Sequence, residues 1–348
     1  MNVLGIFRGF PGLGRVVSGT AILETLCDVH GCNIDMISYL QGQEFLKMRG
    51  YGCCVDATPM DYCSIGLLPT NKMGAYIHSK IKTFKPEVVI VDGEPLMVHS
   101  LRTSFPNLKI VVLLNPSDVD NPQNDKEAME FFNAMYSLAD LAVVHGLRDV
   151  TNIYNYKRMI STRTILRREI FKISNTPTKN IYCLLGGGTV NVGNQFEEST
   201  VCIARLCVES ARLLPNYTMH IVCSSSNIYD ALNAPTLPNN VVLHERIIDT
   251  AEYYSKACLV ISRSGRNTLS ELAYLGIPSI SFVSGCSYRK VEQEQNLKSL
   301  NAQNICSAEI NCSAEEFAEL CKRQMSCGID HPLFEPGNAM VIDRIINL

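Results

Sequence analysis

Short apolar runs alternate with longer amphipathic segments along almost the whole chain, and this alternation limits the fold more than any other feature. Val3–Phe7, Asn33–Ser38, Val88–Val91, Ile110–Leu114 and Leu141–Val144 read as strands. Helical patterns fall between them at Val16–Val29, Gly74–Phe84, Leu96–Ser104 and Lys126–Leu138. Repeated strand–helix units predict a parallel sheet with both faces covered. The pattern pauses over residues 151–180, which are polar and basic and end at Thr176-Pro177-Thr178. A second series follows, with strands expected at Ile181–Leu185, Met219–Cys223, Val241–Leu243, Leu259–Ser262 and Ser279–Val283. Its helices are expected at Glu197–Leu214, Thr250–Lys256, Asn267–Leu275 and Val291–Leu300. The expected class is α/β, two doubly wound Rossmann-like halves facing a central cleft. The boundaries read 1–165, a linker 166–178, 179–335, and a C-terminal helix in 336–348 that packs back on the N-terminal half.

The 348 residues suit two domains at roughly 150 residues each. A net charge of −3 without a charge run excludes a protein that coats nucleic acid, because phosphate binding needs clustered Lys and Arg. No apolar stretch approaches the roughly 20 residues that span a bilayer, so no transmembrane segment is predicted. The first residues lack a basic leader and a cleavage site and read as a strand rather than a signal peptide. Fifteen scattered cysteines, mostly inside apolar runs and without Cys-x-x-Cys, read as reduced core thiols of a cytoplasmic protein.

In open α/β sheets ligands sit outside the carboxyl ends of the strands, so the loops there deserve the closest reading. The first strand runs into Arg8-Gly9-Phe10-Pro11-Gly12-Leu13-Gly14-Arg15 and then a helix. Glycines let backbone N–H groups approach a ligand, and a helix start suits an anion. Val17 stands where a dinucleotide fingerprint needs its third glycine, and no acidic residue ends the second strand, which argues against NAD. The second half opens alike, with strand Ile181–Leu185 followed by Gly186-Gly187-Gly188-Thr189. A plain structural turn is the alternative at both places.

The most informative stretch is Ser262-Arg263-Ser264-Gly265-Arg266-Asn267-Thr268-Leu269-Ser270-Glu271, running on to Leu275-Gly276-Ile277-Pro278. It reads as a strand end, a tight turn and a short helix closed by Gly276. Ser264 is expected to cap that helix, with the amides of Gly265–Asn267 exposed at its positive end and suited to a phosphate. Glu271 is placed to accept hydrogen bonds from a sugar diol; the alternative is a capped amphipathic helix with Glu271 in solvent.

Ser262–Pro278 resembles the donor-binding signature of GT-B glycosyltransferases, nearest to the type that makes the lipid-linked peptidoglycan precursor by N-acetylglucosaminyl transfer. Gly12-Leu13-Gly14-Arg15 is similar to that family's first glycine loop and Gly186-Gly187-Gly188-Thr189 to its second. Glu245-Arg246-Ile247-Ile248-Asp249 and Gln293-Glu294-Gln295-Asn296 are similar to its segments on either side of the signature. The resemblance implies that residues 1–165 bind an acceptor and 179–335 a nucleotide diphosphate sugar, most directly UDP-linked, with no other cofactor and no metal. It places Glu271 on the ribose, Ile247 on the uracil edge, and Ser264, Gly265 and Thr268 on the diphosphate, with Arg263 and Asn267 beside them. Gly14, Arg15, Gly187, Gly188 and Thr189 join the donor loops. Gln293 and Gln295 would contact the sugar, and Arg167 would face the diphosphate from the hinge. Arg167 and Arg168 read otherwise as a solvated basic linker.

One departure stands out. The family's first loop ends Gly-His, and that His is a candidate base; here the position is Arg15. A guanidinium with a pKa above about 12 does not accept a proton near neutrality. Arg15 suits a phosphate or an acidic acceptor instead. Val88–Val91 delivers Asp92-Gly93-Glu94-Pro95, and the next strand delivers Asn115-Pro116-Ser117-Asp118-Val119-Asp120. Asp92 is the first choice of base, followed by Glu94 and Asp118. A strand-end Asp that caps the next helix is the alternative for Asp92, and chance accounts for the Asp-x-Asp of 118–120. His99 and His145 read as packed or surface histidines. The expected activity is sugar transfer with inversion to an acceptor that is a small molecule, a lipid-linked molecule or a polymer, with peripheral membrane contact left open. A nucleotide-sugar epimerase or hydrolase on the same fold, and a non-catalytic nucleotide-sugar-binding protein, are the other readings.

Overall fold

The structure is a computed structural model that describes residues 1–9, 12–52, 72–186, 194–223, 225–233, 237–245, 250–283, 287–300, 302–329 and 335–348. Contacts divide the chain into two units, Met1–Arg167 with Pro336–Leu348, and Arg168–Glu335.

The first unit holds a six-stranded, all-parallel sheet ordered β2-β1-β3-β4-β5-β6. Its strands are β1 (Asn2–Phe7), β2 (Asn33–Ile37), β3 (Val88–Asp92), β4 (Lys109–Leu114), β5 (Leu141–Gly146) and β6 (Met159–Arg163). The described helices are α1 (Gly14–His30), α2 (Gln41–Met48), α3 (Lys72–Phe84), α4 (Pro95–Ser104), α5 (Pro116–Val119) and α6 (Lys126–Tyr136). The inner strands are near-continuous Val/Ile/Leu runs because parallel strands are buried on both faces. Alternate residues then serve opposite faces. Leu4 and Ile6 of β1 pack with Ile77, Ile81, Val98 and Leu101 from α3 and α4. Gly5, between them, lies against Leu23 of α1.

The second unit holds another six-stranded parallel sheet, ordered β12-β11-β10-β7-β8-β9. Its strands are β7 (Asn180–Leu184), β8 (Thr218–Val222), β9 (Val241–His244), β10 (Ala257–Arg263), β11 (Ser279–Phe282) and β12 (Ile305–Ala308). The described helices are α7 (Asn194–Ala211), α8 (Ser226–Leu232), α9 (Ala251–Lys256), α10 (Arg266–Leu275), α11 (Ser287–Leu300) and α12 (Ala314–Ser326). Its core joins Ile181, Ile221, Leu259 and Ile261 to Leu206 of α7 and Phe317 of α12. The described cysteines are free thiols, and Cys183, Cys207, Cys223 and Cys321 are buried in or beside that core.

Two strands and two longer helices lie where no element is expected from the pattern. β6 sits inside the polar stretch, and β12 follows α11; both are edge strands, which need fewer apolar residues. α2 and α12 are the helices, and α12 carries a capping box between Ser313 and Glu316. The last helix, α13 (Asn338–Ile346), packs on α1 within the first unit. Asn338 exchanges two hydrogen bonds of 2.9 Å with the backbone of Leu166. No helix among the described residues is long and apolar enough to cross a membrane.

Both sheets have a topological switch point, where neighbouring strands lead their chains away in opposite directions. In the first it lies between β1 and β3, in the second between β7 and β10. The chain leaves these four strands at Arg8, Gly93, Leu185 and Ser264. At the first of them the loop packs on the start of α2, where the Gly42 amide donates to Gly9 O at 3.2 Å. A Cβ on Gly9 would overlap the Tyr39 carbonyl. Gly9→Ala is therefore expected to destabilise the protein by about 3 kcal/mol, read as a lowered midpoint in chemical denaturation with the slope unchanged.

Candidate functional site

The switch point of the second unit is built on β10 and α10. β10 is almost wholly buried and ends at Arg263, itself buried, whose guanidinium donates to Ser199 Oγ at 2.7 Å and Thr200 Oγ1 at 2.6 Å on α7. The expected cap is corrected here. Gly265, not Ser264, is the N-cap residue of α10, and no side chain caps it. Ser264 is fully buried and turned into the sheet: its hydroxyl meets Ser281 Oγ at 2.9 Å and Phe282 O at 3.2 Å. The reason is register, because Ser264 N–H continues the β10–β11 ladder by donating to Phe282 O at 3.1 Å. Gly265 N–H is bonded to Arg263 O at 2.7 Å, so the first-turn amides of the helix are those one residue on, Arg266–Thr268. They precede the first bond within the helix, Leu269 N–H to Gly265 O at 3.0 Å, and carry the positive end of its dipole. Gly276, at φ 68°, closes α10 as expected.

Glu271 does not face solvent. It is 5% exposed, and its Oε2 accepts a hydrogen bond from the fully buried Tyr254 at 3.1 Å. Thr268 and Asn267 are half-buried on the first turn, and Arg266 Nε donates to Asn267 Oδ1 at 3.1 Å. On α11, Gln293 is buried and Gln295 half-buried. Asn296, one residue beyond, donates to Ser264 O at 3.3 Å and so ties α11 to the turn. Gly186 has a positive φ of 99° at the end of β7. Gly187, Gly188, Thr189 and Ile247 lie outside the described residues.

The switch point of the first unit is a network of charged side chains. Gly14 opens α1, and Arg15 follows it. Arg15 donates from one terminal nitrogen to Asp92 and from the other to both oxygens of Asp118, at 2.9 and 3.0 Å. Burial opposes its charge, but Asp118 and Asp92 outweigh that and hold it protonated, well above its ordinary pKa. The guanidinium expected to meet an anionic ligand thus already holds two carboxylates of the protein. Asp118 is doubly committed, since its Oδ2 also accepts the Asn115 amide at 2.8 Å at the start of α5. Asp120 pairs with Arg148 at 2.9 Å, so both acids of the Asp-x-Asp face arginines.

Glu94 is different. It is fully buried, and Tyr39, two residues after β2, donates to its Oε1 at 2.5 Å. Arg8 lies 3.6 Å from that same oxygen, while Oε2 has no hydrogen-bond partner. Burial pushes the Glu94 carboxyl up to about 7, against the pull of Arg8, the Tyr39 hydroxyl and Arg15. Gly93, at φ 85°, makes the packing possible: a Cβ there would come within 2.7 Å of Arg15 Cδ and 2.8 Å of Arg8 Cβ.

Arg167 is not solvated. It is 8% exposed at the end of the first unit, next to the buried Ile165 and Leu166, whereas Arg168 opens a short 3-10 turn in the second. His145 is buried, and its Nδ1 accepts the Ile165 amide at 3.3 Å; His99 is exposed on α4. Tyr39, Arg8, Tyr254 and Asn296 carry no role in the reading of the sequence. Arg8 and Tyr39 shared one signal, a position within two residues of the ends of the adjacent strands β1 and β2.

Residues 212–319 match the glycosyltransferase family 28 C-terminal domain. Over 115 residues the chain is 33% identical to the UDP-N-acetylglucosamine--N-acetylmuramyl-(pentapeptide) pyrophosphoryl-undecaprenol N-acetylglucosamine transferase of Rickettsia bellii; this covers 30% of the chain and 31% of that protein. Among solved structures the chain is similar over its whole length to MurG of Acinetobacter baumannii, at 15% identity, 99% of that chain and a TM-score of 0.58. It is similar also to the spinosyn rhamnosyltransferase SpnG, at 14% identity, 96% of that chain and a TM-score of 0.62. The UDP-GlcNAc 2-epimerase of Neisseria meningitidis gives 15% identity, full coverage of both chains and a TM-score of 0.66.

The buried Glu94 has a consequence for stability. Its pKa is about 7 folded, against an ordinary value of 4.5, so the folded state binds more protons between those pH values. That contribution is complete below about pH 4.5 and disappears as pH rises through about 7. Glu94→Gln is expected to remove the loss, worth about 3 kcal/mol. The thermal midpoint of the variant should exceed that of the wild type at pH 8 and match it near pH 4.5.

Proposed function

We propose that this GT-B chain, which resembles the lipid-linked peptidoglycan-precursor N-acetylglucosaminyltransferase type, is a glycosyltransferase that moves a sugar from a nucleotide diphosphate sugar to an acceptor hydroxyl. The observation that carries the reading is the second switch point. A helix N-terminus without an acidic residue in its first turn follows β10, and Glu271 stands on the same helix, buried and held by Tyr254. The match of residues 212–319 to a glycosyltransferase domain covers this same segment.

In this reading the diphosphate rests on the amides of Arg266–Thr268 and the Thr268 hydroxyl, and the ribose on Glu271. Ile247, Gly187, Gly188, Thr189, Gln293 and Gln295 complete the donor site, UDP being the favoured nucleotide. Arg167 faces the diphosphate. The leaving group gains negative charge as the glycosidic bond breaks, and preformed dipoles stabilise it without reorganising. The acceptor is activated at the first unit's switch point by one of its carboxylates, and transfer proceeds in a single displacement with inversion.

Thermal shift with UDP-, GDP- and TDP-sugars tests the donor class. UDP-linked sugars are expected to raise the midpoint, and Glu271→Ala is expected to weaken their binding at least tenfold, about 1.4 kcal/mol. Wild-type affinity in that variant would remove Glu271 from the ribose. Appearance of an epimerised UDP-sugar without any acceptor would favour the epimerase reading instead.

A further inference from the structure

The first unit's three candidate carboxylates are not equivalent. Arg15 bridges Asp92 and Asp118, so both carboxylates are occupied by a guanidinium at hydrogen-bond distance. Glu94 pairs with a cation more loosely, with Arg8 Nε at 3.6 Å. Its closest donor is a neutral phenol, on Oε1, and its nearest cation, Arg8, stands beyond hydrogen-bond distance from that same atom. Both neighbours thus address one oxygen and leave the other with a lone pair and no donor.

We propose, resting on the transferase reading above, that Glu94 Oε2 is the proton acceptor for the acceptor hydroxyl, and that Tyr39 and Arg8 are positioning residues that fix Oε1 and so present Oε2. The hydroxyl O–H bond breaks and its proton passes to Oε2. The electron pair left on that oxygen forms the bond to the anomeric carbon. The bond from that carbon to the phosphate oxygen breaks, and its electron pair leaves with the nucleoside diphosphate. Glu94 then returns the proton to water. Glu94 is fully buried, and of the two side chains that hold Oε1, Arg8 is the more exposed, at 24%.

The groups around Glu94 determine how its titration responds. Arg8 comes from the loop after β1, Arg15 from α1 and Tyr39 from two residues after β2; Asp92 on β3, Asp118 on α5 and Tyr136 on α6 lie around Arg15. Removing the Tyr39 hydroxyl or the Arg8 charge withdraws a group that favours the ionised carboxyl, so both changes move its titration upward.

The test pairs carboxyl NMR titration with the pH profile of UDP-sugar consumption, on the full chain, for wild type, Tyr39→Phe, Arg8→Gln and Glu94→Gln. The wild-type rate is expected to rise with pH along a limb near neutrality that coincides with the Glu94 resonance. In Tyr39→Phe and Arg8→Gln, limb and resonance are expected to move up together by about one pH unit, with UDP affinity unchanged. In Glu94→Gln the limb is expected to be lost and the rate to fall at least a hundredfold. Turnover whose limb stays in place in Tyr39→Phe and Arg8→Gln while the resonance moves would overturn this assignment and leave the transferase reading standing. UDP binding without any turnover in the wild type would overturn both. Unchanged UDP affinity reports that a variant is folded, and the two positioning variants keep the test decisive if Glu94→Gln does not fold.

Discussion

Arg15 ties together the region of the first sheet where chemistry can occur. It stands at the start of α1 and reaches Asp92, the last residue of β3, and Asp118, which follows β4, so one guanidinium joins three strand ends. Taking such a cation and two anions out of water is costly unless their geometry is well met, and here the fork is filled by carboxylate oxygens on both sides. The arrangement has a chemical result. Asp92 and Asp118 are paired in place with Arg15, whereas the nearest donor to Glu94 is a phenol and its cation stands farther off. A residue that departs from the resembling family's histidine thereby organises the acids around it.

Much of the fold is written in the periodicity because parallel strands are buried on both faces. The inner strands are runs such as Val88-Val89-Ile90-Val91, and no other burial fits them. β6 and β12 are harder to read: as edge strands they have one neighbour and mixed sequences, and β6 passes for linker. The capping box Ser313-Ala314-Glu315-Glu316 carries a helix-start signal that the reading of periodicity passes over.

The candidate sites were legible to different depths. A turn followed by α10 is evident from Ser264–Gly276, since glycine and the helical spacing are local signals. The identity of the cap is not local. Ser264 prefers a hydroxyl and a carbonyl on β11, seventeen and eighteen residues away, over the amides of its own helix. Tyr39 and Glu94 meet across fifty-five residues, a contact that only the parallel β2-β1-β3 order brings about. Strand ends can be listed from a sequence, but which of them are adjacent depends on strand order.

The hydrogen bonds between Asn338 and Leu166 have a consequence for evolution and for engineering. They bring the point where the chain leaves the first unit beside the point where it returns. Arg168–Glu335 is therefore a covalent insertion, entered and left through a single doorway whose two jambs are stapled to each other. A segment held in that manner can be excised whole and replaced by another of the same kind through two neighbouring cuts, without re-routing the backbone of its host. Recombination that exchanges Arg168–Glu335 for another domain of the same architecture needs nothing more than those two crossovers.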